Sequence, residues 1–121
     1  MSPRSWMACG AFAMFVAVAL GAFGAHGLKA RVDAEHLALW STAVQYHALH
    51  ALALFAFGIW RERVPGSGLA GFFFLSGIAL FCGSLYGLAL GGPGWLGPVT
   101  PLGGLAFLAG WATLGFQVLR R

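Results

Sequence analysis

The stretch Trp40–Trp60, WSTAVQYHALHALALFAFGIW, limits the fold more than any other. It carries no charged residue and has a tryptophan at each end. As an α-helix rising about 1.5 Å per residue it is roughly 30 Å long, the thickness of a bilayer's hydrocarbon core. Tryptophan is enriched at membrane–water interfaces, so the two rings mark the two surfaces of a spanning helix. Composition agrees, since 60% of the 121 residues are hydrophobic and only 8% are charged. A soluble domain has about 25% charged residues, which excludes that class.

Three further stretches have the length and the lack of charge to span: Trp6–Ala25, Leu69–Leu90 and Leu102–Leu119. The first is longer than a signal-peptide core and is followed by more spans, so it is read as a retained helix. Val64–Gly68 (VPGSG) is a turn, and the three prolines of Gly91–Pro101 predict a rigid loop before the fourth span. These short connectors force neighbouring spans to run antiparallel. The expected fold is an all-α membrane protein, a four-helix transmembrane bundle in up-down-up-down order, with residues 1–121 as one integral membrane domain. His26–Leu39 is the only charged connector of any length. It reads either as a short interfacial helix between spans 1 and 2, with Lys29–Asp33 and Arg31–Glu35 paired at i, i+4, or as a wet linker.

Small residues recur at every fourth position in two spans. Ala13, Ala17, Gly21 and Ala25 form one ladder; Ala79, Gly83, Gly87 and Gly91 form the other. Such ladders let membrane helices approach closely, which suggests that spans 1 and 3 pack together or that one ladder faces a partner chain. Arg4, Arg61, Arg63, Arg120 and Arg121 fall on one side of a four-span bundle, against Lys29 and Arg31 on the other. The positive-inside rule therefore expects both termini in the cytoplasm of an inner-membrane protein. The net charge of +4 is scattered and forms no basic stripe, so the lipid bilayer, and not nucleic acid, is the expected partner.

Chemistry can be sought only in a polar cluster carried by the spans. His47 and His50 lie on adjoining parts of one face of span 2, beside Tyr46. Counting helical rise puts Cys82 and Ser84 at a similar depth, with Tyr86 and His26 nearer the outer surface. Ionisable groups inside a membrane raise the idea of a functional site, here a histidine-ligated metal or haem held by His47, His50, Cys82 or His26. Against it, a zinc site wants four defined ligands, and only the histidine pair is local in sequence. The competing reading is that His26, Tyr46, His47, His50, Ser84 and Tyr86 hydrogen-bond across helices. That reading expects no metal and no cofactor. Cys9 and Cys82 sit roughly 15 Å apart in depth, too far for a disulfide. No nucleophile elbow, P-loop, zinc-protease motif or C-x-x-C is present, so no catalytic residue is expected.

Gly21–Lys29 (GAFGAHGLK), Thr42–Tyr46 (TAVQY) and His50–Leu52 resemble the domain-of-unknown-function 423 family of small membrane proteins. Gly83–Tyr86 (GSLY), Thr100–Gly104 (TPLGG) and Gly110–Trp111 extend the resemblance over nearly the whole chain. It implies a four-span bacterial inner-membrane protein and no particular activity, and it rests on His26, Tyr46 and His50 more than on His47. The reading is a structural or accessory membrane subunit, packing through Gly/Ala-rich faces against a partner protein or a second copy. The alternatives are a small transporter or channel using the outer polar patch, and the histidine-ligated carrier.

Overall fold

Helix starts are written in the local sequence. The Ser2 hydroxyl accepts from the Ser5 amide at 3.1 Å, and Pro3 follows as the first residue of α1 (Pro3–His26). Proline suits that position because its missing N–H would have had no partner in the first turn. In the computed structural model, which describes residues 1–120, the chain continues as α2 (Ala34–Arg63), α3 (Leu69–Gly77), α4 (Gly83–Ala89) and α5 (Leu96–Leu119). A π-helical turn, Ile78–Cys82, joins α3 to α4 so that the two form one span. The described residues thus contain four helical segments long and apolar enough to cross a membrane, and no strand.

The charged connector is shorter than the interfacial-helix reading requires. It holds one 3-10 turn, Leu28–Ala30, and ends at Asp33, which caps α2. The Asp33 carboxylate accepts from the His36 amide at 2.8 Å and meets the His36 ring at 2.7 Å, the only salt bridge found among the described residues. The Lys29–Asp33 and Arg31–Glu35 pairs therefore do not form. Continuous helix across 29–35 would be needed to align them, and capping commits Asp33 to an extended backbone instead. At the other connector, α5 begins at Leu96, inside the stretch expected to be loop. Pro98 falls in the first turn, where amides lack helical partners anyway, and Pro101 removes only one more backbone bond.

Facing positions establish that successive spans run antiparallel. A Cβ on Gly10 would meet the Ala51 and Phe55 backbone, one on Gly58 would meet Met7 and Pro3, and one on Gly24 would strike Trp40. Gly77 lies against Phe107, Gly103 against Phe81, and Gly110 against Phe74, which pairs the third span with α5. The α1 seam is Gly10, Ala17 and Gly24, all buried and spaced by seven. A row spaced by four drifts about 40° around a helix per step, whereas one spaced by seven drifts only about 20°. Hence Ala17 is buried and Gly21 touches Val44, while Ala13 is half-buried and Ala25 is exposed.

The second ladder does not form a seam. Ala79 is exposed, Gly83 and Gly91 face open space, and Gly87 meets only Leu96. The π turn offsets everything beyond it from the spacing that an uninterrupted helix would keep. Gly91 instead ends α4 at φ 84°, with its amide bonding the Leu88 carbonyl and the Gly92 amide bonding the Gly87 carbonyl. That is a Schellman cap, which needs glycine at the left-handed position. Spans 1 and 3 meet chiefly where the Trp6 ring packs edge-on to Phe72 and under Gly68 and Gly71.

Between the two ends many interior positions are small, and many large side chains point outward. Ala43, Ala51 and Ala70 are fully buried, yet Phe12, Phe15 and Phe116 are 72%, 73% and 69% exposed. In water so much exposed aromatic surface would mark an interaction face, but on membrane-length helices it is the surface that meets acyl chains. Aromatic packing around Trp6, Phe57 and Phe74 closes one end of the bundle, and Leu28, Trp40 and Ala89 close the other.

Candidate functional site

The buried polar residues enter three separate seams. His50, 2% exposed, has both ring nitrogens engaged. Its Nε2 accepts from Trp111 Nε1 of α5 at 3.0 Å, and its Nδ1 lies 2.8 Å from the Tyr46 carbonyl. Indole N–H can only donate and a carbonyl can only accept, so the ring is the neutral Nδ1–H tautomer. It stacks on Phe107 with centroids 3.6 Å apart and planes 13° from parallel. Neutral, flat and held at both nitrogens, His50 is fixed between α2 and α5.

His47 looks in another direction. Its Nδ1 lies 2.8 Å from the Tyr86 hydroxyl of α4. This imidazole thus ties α2 to α4. Tyr86 in turn packs on Trp40 at 4.7 Å, and Trp40 Nε1 donates to the Leu20 carbonyl of α1 at 2.8 Å. The third seam joins α4 to α5 through the Ser84 and Thr100 hydroxyls. Ser84 also donates to the Phe81 carbonyl at 3.0 Å, beside the π turn.

The sequence-derived cluster is therefore distributed. Tyr46 contributes its carbonyl to the His50 seam, while its ring, 42% exposed, faces a lateral groove with Phe81 and Phe107. His26 is exposed at the end of α1 and joins none of the seams. Cys82 is fully buried among Ala43, Leu85 and Phe107, and both cysteines are free thiols. Among the described residues, no three His, Cys, Asp or Glu side chains gather as metal ligands would. His50 could take up an ion only by giving up its bond to Trp111 or the one to the Tyr46 carbonyl.

Residues 20–104 match the family described as "Protein of unknown function (DUF423)". The chain is 46% identical over 105 residues to the UPF0382 membrane protein YwdK of Bacillus subtilis, covering 84% of this chain and 85% of that one. It is 44% identical over 106 residues to a UPF0382 membrane protein of Schizosaccharomyces pombe, covering 82% and 88%. To the UPF0382 inner membrane protein YgdD of Escherichia coli it is 38% identical over 122 residues, covering 99% and 93%. This chain belongs to the DUF423 family. It is a membrane protein whose fold matches the family resemblance of its motifs. No solved structure matches it.

The matched DUF423 region holds Trp40, His47, His50, Ser84, Tyr86 and Thr100, whereas Trp111 lies beyond it. Trp40, Thr100 and Trp111 were not apparent from sequence as members of the polar network. Trp40 and Thr100 had equally good readings as an interfacial and a loop residue, and partners 16 to 61 residues distant leave no local spacing to read. One signal existed: a tryptophan inside the fourth span, away from either surface, needs an acceptor for its N–H.

Proposed function

We propose that this DUF423 protein is a non-catalytic structural or accessory component of the inner membrane, with both termini in the cytoplasm. One observation carries the reading: the buried histidines are occupied by bonds between spans, His50 to Trp111 and His47 to Tyr86. Interhelical hydrogen bonds of this kind contribute on average about 0.6 kcal/mol each, and together these two tie α2 to α4 and α5. Imidazoles so engaged organise the bundle and leave contact with lipid or another membrane protein to the outer faces. The basic residues at the Arg4, Arg61–Arg63 and Arg120 end support the orientation.

Crosslinking and native mass measurement in membranes at natural expression level test the accessory role. The expected result is a reproducible assembly containing more than one chain. A protein recovered only as a bare monomer overturns it. A C-terminal reporter that reads as external overturns the orientation independently.

A further inference from the structure

Between the outer end of α1 and the first turns of α2 lies a cleft of about 380 Å³. Its floor is the Trp40 ring beside Gly21 and Gly24, and its rim carries Lys29, Ser41 and Gln45. Ser41 and Gln45 are one helical turn apart, so both project from the same side of α2. Both are exposed, and neither has a side-chain hydrogen bond to any described residue. Gln45 lies about 7 Å deeper than Trp40 along the helix axis, at a level where little water is present. A polar group facing hydrocarbon without a partner is costly, so these side chains call for an acceptor from outside the chain. Lys29, on the 3-10 turn above them, has no ion pair with any described residue.

We propose that this cleft binds the headgroup and glycerol region of a diacyl glycerophospholipid from the adjacent leaflet. The vertical order of groups carries the assignment. An ammonium at the surface meets the phosphodiester, and a hydroxyl and a carboxamide below it donate to the ester carbonyls. The glycine-lined wall beneath leaves room for the first methylenes of an acyl chain. Gly24 and Gly21 let the side chains of α2 that line the cleft lie close against α1: a Cβ on Gly24 would stand 2.6 Å from Trp40 Cδ1, and one on Gly21 would stand 3.3 Å from Val44. Trp40 keeps its place as floor through its bond to the Leu20 carbonyl.

Native mass spectrometry of the full chain in detergent, titrated with dioleoyl phosphatidylglycerol, reads this site. The expected result is one tightly retained lipid, with diacylglycerol and inorganic phosphate each retained far less. Lys29→Ala weakens retention by roughly tenfold and Gln45→Leu by roughly fivefold, the sizes of one charge-assisted and one neutral hydrogen bond. Both residues are exposed, so both variants keep the parent's thermal midpoint. Loss with Lys29→Ala but not with Gln45→Leu would mean only surface charge attraction and overturns the site. Equal retention of inorganic phosphate reassigns the cleft to a free anion and overturns the lipid. A Gln45→Leu variant that keeps its lipid but loses a protein partner overturns it in favour of a protein contact.

Discussion

Gly10→Ala is a one-methyl change that tests whether contact between helix backbones holds α1 on α2. The added Cβ would stand 2.5 Å from the Phe55 nitrogen and 2.7 Å from the Ala51 carbonyl oxygen, both backbone atoms. Ordinary contact begins at 3.4 Å, so the shortfall is 0.9 Å, and no rotamer can relieve it. The helices must part by close to that amount. A gap of about 0.5–1 Å already forfeits a quarter to a half of each dispersion contact along the seam. Such overpacking costs about 1–3 kcal/mol, and lipid offers no hydrophobic drive to press the helices back together. Gly83→Ala is the matched control, because a Cβ there meets nothing within 4 Å and glycine is the poorer helix former. Reversible unfolding in mixed micelles, followed by tryptophan fluorescence, should place Gly10→Ala about 1–3 kcal/mol below the parent and Gly83→Ala at or slightly above it. A cost for Gly10→Ala no larger than that for Gly83→Ala would refute the backbone-contact account of the seam.

Other outcomes follow from single contacts. Trp111→Phe removes the donor to His50 Nε2 and should cost about 0.6 kcal/mol, with a ceiling near 1.7. A double-mutant cycle with His50→Phe measures the coupling, and nitrogen NMR should find the proton on Nδ1. Arg61, 6% exposed, donates to the Val64 and Ser67 carbonyls of the turn and lies over the Phe57 and Trp60 rings. Arg61→Met should destabilise the bundle by about 1.5–3 kcal/mol in the same unfolding assay, and protease cleavage within Val64–Gly68 should rise in parallel. The His36 amide, and then its ring, hold the Asp33 carboxyl below its ordinary value of 3.8. Its folded pKa is depressed, so capping is complete above the unfolded value and fades as pH falls through the folded one. Amide exchange in the first turn of α2 should accelerate over that acidic window, and Asp33→Asn, also a good cap, should abolish the pH dependence.

Much of this molecule is set by its sequence alone. Uncharged stretches of bilayer length, broken at Val64–Gly68 and around Gly91, require four antiparallel helices whatever their packing, because unpaired backbone groups cannot sit in hydrocarbon. The caps act within their own turns, Ser2 with Pro3 and Asp33 before α2, yet Asp33 reads from its spacing as a partner of Lys29. Tertiary structure alone decided which small residues meet a neighbour. Glycines every four residues look alike in sequence, but helical drift and the π turn at Ile78–Cys82 turn one ladder outward and leave Gly10, Gly77 and Gly103 as the close approaches. The same holds for the polar groups. His47 and His50 are near neighbours in sequence, yet the side chains that complete them, Tyr86 and Trp111, come from different helices 39 and 61 residues away. A side chain's hydrogen bond depends on what the opposite helix presents at that height, which only packing sets.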